Sequence, residues 1–240
     1  MKHIYFIHIP KTAGQSIKRE FRIKYLLNEI PTLYHNPRSK SLFPKDSEEY
    51  KITIKVRDAM QNNLITTSDM TISLSSHRNI YDEIKDVNPR FSFAFVRNPW
   101  DRLVSLYSFL KKIGILNTNV IFGRFVKTLY DNRNYPENFD DTQLNVPTIE
   151  LKKLLSVTSQ CQANFICNTD GNLFADFVGK YENLQSDFDK VCDLIEIDHI
   201  NLTRINVSVH KQYQQYYTTE TKNMVNEMYK TDIDMFEYTF

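Results

Sequence analysis

Apolar residues in this chain are concentrated in short, nearly continuous runs instead of alternating with polar ones. Strands of a parallel sheet have this composition because helices cover both of their faces. Each run ends at a polar, glycine-bearing or proline-bearing turn, as strands do. Four runs are clear and a fifth is weaker: IYFIHI at 4–9, MTISL at 70–74, FSFAFV at 91–96, LFADFV at 173–178 and, the weaker one, KITIKV at 51–56.

Helical patterns lie between and after these runs, and several signals mark the start of one helix. Asn98 can cap it, Pro99 suits the first helical position, and Asp101 favours the positive end of the helix dipole. Its apolar face is formed by Trp100, Leu103, Val104, Tyr107 and Leu110. Further helices are predicted at 16–28, 119–131, 148–157, 184–196 and 218–236.

The composition fits one globular domain over residues 1–240. Of these residues 41% are hydrophobic and 25% are charged, which is enough to bury a core. The formal charge of +1 gives no reason to expect nucleic acid or an anionic membrane as a partner. The first apolar run is too short for a membrane span or a signal core, so we expect a soluble, cytoplasmic protein without a transmembrane segment. The three cysteines, Cys161, Cys167 and Cys192, are too irregularly spaced for a disulfide framework or a zinc site.

The loop IHIPKTAGQSI at 7–17 has the composition of an anion site between a strand and a helix. Backbone N–H groups and the positive end of the helix dipole converge at such a turn. Gly14 lets the backbone approach a ligand, Lys11 adds a positive charge, and the further donors are Thr12, Gln15 and Ser16. In nucleoside triphosphatase loops the lysine follows the glycines and a neighbouring hydroxyl holds magnesium. Here lysine precedes the turn, which favours an anion such as a sulfuryl donor without a required metal; an ordinary strand-to-helix turn is the alternative.

A second anion site is predicted in FAFVRNPWDRLVSLYSFL at 93–110. Arg97 follows a predicted strand, and Ser105 lies eight residues later, two turns into the next helix. A guanidinium group suits a phosphate because it can donate two parallel hydrogen bonds. The alternative is that Arg97 or Arg102 forms an ion pair with Asp101.

These two motifs together resemble the sulfotransferases that use 3'-phosphoadenosine 5'-phosphosulfate (PAPS), in particular the carbohydrate (chondroitin and heparan) branch. VGKYENLQSDF at 178–188 and the closing YKTDIDMFEYTF are also similar to family segments, so the resemblance covers most of the chain. It implies an α/β fold, a P-loop-NTPase-like three-layer sandwich with a central, mostly parallel sheet flanked by helices. It also implies PAPS as donor, 3'-phosphoadenosine 5'-phosphate (PAP) as product, and no metal. The implied donor-binding residues are Lys11, Thr12, Ala13, Gly14, Gln15 and Ser16 on the 5' side, and Arg97 and Ser105 on the 3'-phosphate.

Transfer to a hydroxyl requires a group that accepts the proton of the acceptor. His77 follows the strand MTISL at a carboxyl strand end, and its position resembles that of the base in the glycosaminoglycan 2-O-sulfotransferases. The alternative is a capping or surface histidine. His8, inside a predicted strand, is expected to be a core residue. Glu182, at a predicted helix start, is expected to cap that helix, and the alternatives are that it orients a neighbour or acts as the base. Asn206, His210 and Lys211 are candidates for the far side of the donor.

The expected acceptor is a carbohydrate, although a cytoplasmic enzyme would also meet lipid-linked sugars, small glycans or phenols. Acceptor specificity is expected in two polar, proline-bearing loops at 35–50 and 132–147. Two other functions stay open at this point. One is a small-molecule kinase with a degenerate loop, which would need magnesium and ATP, and the other is a nucleotide-binding protein without catalysis.

Overall fold

The computed structural model describes residues 2–27, 64–66, 70–75, 77–88, 90–133, 155–203 and 211–240. Its centre is a five-stranded sheet with the order β2-β3-β1-β4-β5. The central strand β1 pairs in parallel with both β3 and β4, and β4 pairs in parallel with β5. The short strand β2 runs antiparallel at one edge. The strands are β1 Lys2–Ile7, β2 Leu64–Thr66, β3 Met70–Leu74, β4 Arg90–Val96 and β5 Phe177–Lys180.

Helices pack on both faces of this sheet. They are α1 Gly14–Arg22, α2 Tyr81–Ile84, α3 Pro99–Lys112, α4 Phe122–Asp131, α5 Ala163–Ile166, α6 Leu184–Ile195, α7 Thr219–Met228 and α8 Lys230–Phe236. A π-helical turn, Ile23–Leu27, continues α1, and two short 3-10 turns lie at Tyr181–Asn183 and Tyr213–Tyr216.

Alternate residues of the central strands face two separate hydrophobic cores. On one face, Phe6 and Phe93 stack at 5.1 Å between ring centroids and pack with Phe21 of α1 and Phe188 of α6. Each fully buried phenylalanine contributes roughly 2–3 kcal/mol to the free energy of folding. On the other face the core contains buried residues of β1, β4, α3, α4 and α7, among them Ile7, Val96, Val104, Phe125 and Val225. The predicted α/β class, with a mostly parallel sheet between two helical layers, is therefore confirmed.

The helix at Asn98 is confirmed with its predicted cap. The Asn98 Oδ1 atom accepts hydrogen bonds from the backbone N–H groups of Trp100 at 3.1 Å and Asp101 at 3.4 Å. Pro99 occupies the first turn, and Lys111 and Lys112 lie in the last turn, where cations favour the helix dipole. The start of α3 is thus fixed by local sequence.

Other predicted boundaries differ from the structure. The run at 173–178 enters the sheet only at Phe177, because its first part turns back on α5: Phe174 N–H donates to Ile166 O at 2.9 Å. The single helix predicted at 218–236 is two helices, which meet at Tyr229. The helix predicted at 119–131 begins at Phe122.

Some predictions fall wholly or largely outside the described residues. These are the weak strand at 51–56, the loop at 35–50, residues 134–147 of the second loop, and residues 148–154 of the helix predicted at 148–157. The described part of that helix, 155–157, is helical and continues to residue 158. Strand β2 and helices α2 and α5 were not predicted, since each has only three or four residues. Within the described ranges, no helix combines the length and the apolar character needed to cross a membrane.

Gly179 of β5 gives a prediction about stability. A Cβ atom there would lie 2.5 Å from Cε1 of Phe95, a buried ring of the neighbouring strand. Gly179→Ala should therefore lower the free energy of unfolding by about 1–3 kcal/mol, measured by thermal or urea unfolding. Gly123→Ala on α4 is the matched control, because a Cβ atom there finds its nearest neighbour at 3.9 Å and alanine favours helix. Equal melting temperatures for the two variants would contradict the packing argument.

Candidate active site

The parallel strands bring the predicted site residues to one edge of the sheet. Lys11 follows β1, His77 follows β3, and Arg97 follows β4. The carboxyl ends of neighbouring parallel strands are the usual ligand-binding edge of an open α/β sheet. Tyr181 and Glu182 follow β5 and complete this edge.

The loop between β1 and α1 has an unusual backbone. Lys11 and Ala13 have φ angles of 70° and 67°, in the left-handed region that residues other than glycine rarely adopt. Ala13 O accepts from the N–H groups of Ser16 and Ile17, which starts α1. Within the described chain, no acceptor is found for the backbone N–H groups of residues 12–15. A concave row of free N–H groups at a helix start is an anion site by its own dipoles.

Two side chains of this loop differ from expectation. The Thr12 hydroxyl donates inward to Ile9 O at 2.9 Å, and Thr12 is fully buried, so its hydroxyl is not directed to a ligand. Gly14 is required by a neighbouring side chain, because a Cβ atom there would lie 1.8 Å from Cδ2 of His8. Ser16 is buried and Gln15 is exposed.

His8 lies one residue beyond β1 and is part of the site. It is buried as predicted, but its ring centroid is 4.4 Å from that of His77. Burial, followed by the nearby His77 and Lys18, holds the pKa of His8 well below its usual value. The interpretation of His8 as a core residue was therefore incomplete, because the sequence shows no signal for this ring pair.

The ammonium group of Lys11 lies over an aromatic ring. Its Nζ atom is 4.1 Å from the centroid of Phe109 on α3, a cation–π distance. Burial, together with the positive charges of Arg97 and Lys112, lowers the Lys11 pKa to about 8. A bound anion would relieve this charge repulsion and restore the charged form.

Arg97 joins the two predicted anion sites. Its Nε atom donates to Asp101 Oδ2 at 2.8 Å, so the alternative ion pair does form. Its Nη1 atom reaches Lys11 O at 3.3 Å, and its guanidinium lies 4.0 Å from the centroid of the Tyr181 ring. No hydrogen bond of Nη2 is found among the described residues. The ion pair with Asp101 therefore aims the guanidinium across the first loop and leaves one amino group for a ligand.

The backbone of Arg97 is held by a residue that sequence reasoning missed. Gln162, 0% exposed, accepts from Arg97 N–H at 2.8 Å and donates to Arg97 O at 2.9 Å. Asp232 in turn accepts from the N–H groups of Gln162 and Ala163 at 2.8 and 2.9 Å. Neither residue lies in a recognisable motif, because their partners are about 65–70 residues away along the chain.

Glu182 does not cap its own helix, which corrects the prediction. Neither the turn at Tyr181–Asn183 nor α6 has a side-chain cap. The Glu182 carboxylate instead accepts from Asn98 N–H at 2.7 Å and from Tyr238 OH at 3.1 Å. It thus ties the start of α3 to the carboxyl-terminal segment of the chain.

Ser105 and Arg102 lie one turn apart on α3, and Arg102 contacts the first loop. Ser105 is 3% exposed, and its hydroxyl has no hydrogen-bond partner among the described residues. Arg102 donates to the carbonyl oxygens of Pro10, Thr158 and Gln160, which fixes the loop against α3. An unpaired hydroxyl two turns beyond Arg97 fits the predicted second contact with an anion.

His77 has a side chain that reaches solvent and a φ angle of 47°. Its N–H donates to His8 O at 3.2 Å. Partial removal from water, followed by the charges of Lys18 and Arg102, lowers the His77 pKa below its usual value. A histidine of this kind is neutral at neutral pH and can accept a proton.

The remaining candidates contribute less. Asn206 and His210 lie outside the described residues, and Lys211 is exposed just before the turn Tyr213–Tyr216. No cluster of three or more potential metal ligands occurs in the ranges that the structure covers.

The chain belongs to the sulfotransferase family, whose sequence profile it matches over residues 1–239. An uncharacterized protein of Archaeoglobus fulgidus is 30% identical over 125 residues, which are 51% of this chain and 82% of that protein. The crystal structure of a sulfotransferase from Alicyclobacillus acidocaldarius is 12% identical and aligns over 99% of this chain and 94% of that one, with a TM-score of 0.44. Retinol dehydratase in complex with androsterone and the inactive cofactor PAP is 10% identical, with 99% and 82% coverage and a TM-score of 0.38.

The contact between Gly14 and His8 can be tested directly. Gly14→Ala should lower the free energy of unfolding by about 1–3 kcal/mol, because the added methyl group displaces the buried imidazole. His8→Ala in the same chain removes the obstacle, so the double variant should be more stable than the sum of the single changes predicts. Urea unfolding of all four proteins measures this coupling, and strictly additive effects would contradict it.

Proposed function

We propose that this sulfotransferase uses PAPS as its donor and transfers the sulfuryl group to a hydroxyl group of a carbohydrate. The observation that carries the proposal is the 3.3 Å contact between Arg97 Nη1 and Lys11 O. This contact places the two anion sites next to each other. PAPS carries two separate anionic groups on one adenosine, so it could occupy both sites at once. A protein built for a single phosphate would have no use for the second site.

The residues of the site fit the two ends of this donor. Free N–H groups of residues 13–15 and the ammonium group of Lys11 would hold the 5' end, where the donor supplies an activated sulfuryl group. Arg97 Nη2 and the Ser105 hydroxyl would hold the 3'-phosphate. Lys11 would leave the Phe109 ring and stabilise the charge that develops on the departing phosphate oxygen.

His77 would accept the proton of the acceptor hydroxyl. It lies on the β3 side of the first loop, opposite the β4 side that carries Arg97. This arrangement supports attack on the sulfuryl group from a direction that the adenosine does not occupy. A neutral imidazole at this place supplies the base that hydroxyl transfer needs.

A cleft beside the His77 loop, with a lining that is partly polar and mainly apolar, is the candidate acceptor site, because a sugar ring presents both apolar C–H faces and polar hydroxyls. The cleft has a volume of about 330 Å³, and Asn79, two residues after His77, is part of its wall. Its other polar side chains are Asn164, Asn168, Thr169 and Thr231, its apolar ones are Ala163, Cys167 and Met235, and none of the described residues that line it is charged. Amide and hydroxyl groups match the hydrogen-bonding pattern of neutral sugar hydroxyls. An uncharged wall favours a neutral glycan or glycoside over a highly anionic polymer.

The donor proposal predicts a metal-independent preference for PAP over ATP. Isothermal titration calorimetry of the full chain should show tight binding of PAP with or without magnesium and much weaker binding of ATP. Tighter binding of ATP with magnesium would instead support a kinase. Binding of PAP without sulfuryl transfer to any of a panel of glycosides and phenols would support a non-catalytic protein.

Lys11→Ala should lower kcat by about 100-fold to 1000-fold, because the ammonium group acts mainly on charge that develops during transfer. Its effect on PAP affinity should be smaller, about tenfold or less, since the backbone N–H groups remain. Lys111→Ala is the matched control, because Lys111 lies over Tyr107 and donates to Thr118 O away from the loop. Equal losses of kcat and PAP affinity in Lys11→Ala would contradict the assigned role.

The pH dependence of kcat/KM should be bell-shaped. Activity should rise with pH through the pKa of His77, which lies below 6.5, because the base must be neutral. It should fall as pH rises through about 8, where Lys11 of the free enzyme loses its proton. His77→Gln should abolish the acid limb, and Lys11→Arg should move the alkaline limb upward. An acid limb that persists in His77→Gln would assign the base to another residue.

A further inference from the structure

Lys18 on α1 is a buried lysine to which the proposed function assigns no role. It is 4% exposed, and its Nζ atom donates to Ser75 O at 2.6 Å. Burial, followed by the positive charge of Arg22, lowers the Lys18 pKa to about 8, so the group is still mostly charged at neutral pH. A buried ammonium group is costly, and such groups are often functional.

The carbonyl that Lys18 holds belongs to the segment that carries His77. Ser75 lies directly after β3 and makes two hydrogen bonds to β1 and the residue that follows it. Its N–H donates to Phe6 O at 3.0 Å, and its Oγ atom accepts from His8 N–H at 3.2 Å. Two residues later, His77 N–H donates to His8 O at 3.2 Å. The bond from Lys18 therefore attaches this segment to helix α1 as well as to β1 and its following residue.

The charged groups that act on His77 all lower its pKa. The neutral His8 ring lies just after β1, with its centroid 4.4 Å from that of His77, and the positive charges of Lys18 on α1 and Arg102 on α3 lower the His77 pKa. Arg78, its neighbour in the chain, is paired with Glu83. No carboxylate contributes to the shift of the His77 pKa. Like charges of this kind disfavour the imidazolium form.

We propose that Lys18 is a positioning residue for His77: its ammonium group, bonded to Ser75 O, fixes the segment that carries the imidazole and adds a buried like charge on the α1 side of that segment. The inference rests on the proposed function, because it explains how a histidine at this place stays ready to accept a proton near neutral pH. It assigns to Lys18 no contact with donor or acceptor. It also separates two contributions, a hydrogen bond and a charge, that can be removed one at a time.

Three substitutions separate these contributions. Lys18→Met removes both the charge and the hydrogen bond, Lys18→Gln keeps a donor without charge, and Lys18→Arg keeps the charge. Lys24→Met is the matched control, since Lys24 follows on the same helical run but pairs with Asp198 at the surface. Circular dichroism and thermal unfolding show which variants are folded, and Lys18→Gln carries the test if Lys18→Met is not.

Titration of the histidine ring signals by NMR reads the pKa of His77 without any need for activity. The His77 signal is assigned by its loss in His77→Gln. The pKa of His77 should rise by about half a unit to one unit in Lys18→Met and Lys18→Gln, and it should stay unchanged in Lys18→Arg and Lys24→Met. The acid limb of kcat/KM should move upward by the same amount in the same two variants. KM for PAPS should change less than twofold.

The outcomes distinguish this inference from the proposed function. A His77 pKa that is the same in all variants would overturn the inference even in an active enzyme. A shift in Lys18→Met but not in Lys18→Gln would overturn the charge effect and leave only the hydrogen bond. A shift in both, in a protein that binds PAP but transfers no sulfuryl group, would support the electrostatic link and count against the proposed function.

Discussion

The position of β1 between two parallel partners is the constraint on which the site depends. Because β3 and β4 flank it in the same direction, three consecutive loops of the sheet open at one edge. The two apolar faces of these strands, buried by α1 and α6 on one side and α3 and α4 on the other, hold this arrangement. Moving one strand out of register would displace Lys11, His77 or Arg97 by several ångströms relative to the others. The packing of the hydrophobic cores, which sets the register, therefore also sets the geometry of the site.

Buried polar groups near this edge are stabilised by partners that come from distant parts of the chain. Gln162 and Glu182 satisfy backbone groups at the start of α3, and Asp232 satisfies the N–H groups of Gln162 and Ala163 at the start of α5. An unpaired buried N–H at these places would cost about 1–3 kcal/mol. The same exclusion of water lowers the pKa of Lys11 and of His77. The carboxyl-terminal segment therefore contributes to the site through Asp232 and Tyr238 without supplying a group that would touch the donor.

Local patterns were sufficient for the strands and loops that build this edge. β3 has the predicted bounds, β4 begins one residue before its run, and Asn98 caps α3 as its sequence indicates. β1 begins and ends two residues before its run at 4–9, so His8 lies after the strand. The hydrogen bonds of Gln162, Asp232 and Glu182 to distant backbone groups were not predictable, because the local sequence around these side chains gives no sign of a partner 65–84 residues away. The ring contact of His8 with His77 was missed for a similar reason: it depends on the space above Gly14, which exists only once the loop has turned.

The orientation of Thr12 bears on why this loop suits a sulfuryl donor. A hydroxyl does follow the lysine here, as in loops that bind nucleoside triphosphates with magnesium, but it donates to Ile9 O within the turn. The positive charge that faces an anion then comes from Lys11 and Arg97, while Arg102 is engaged by three carbonyl oxygens. A transferred sulfuryl group carries less negative charge than a terminal phosphoryl group. For the donor proposed above, two side-chain cations and a row of backbone dipoles are therefore the better match to a sulfuryl group.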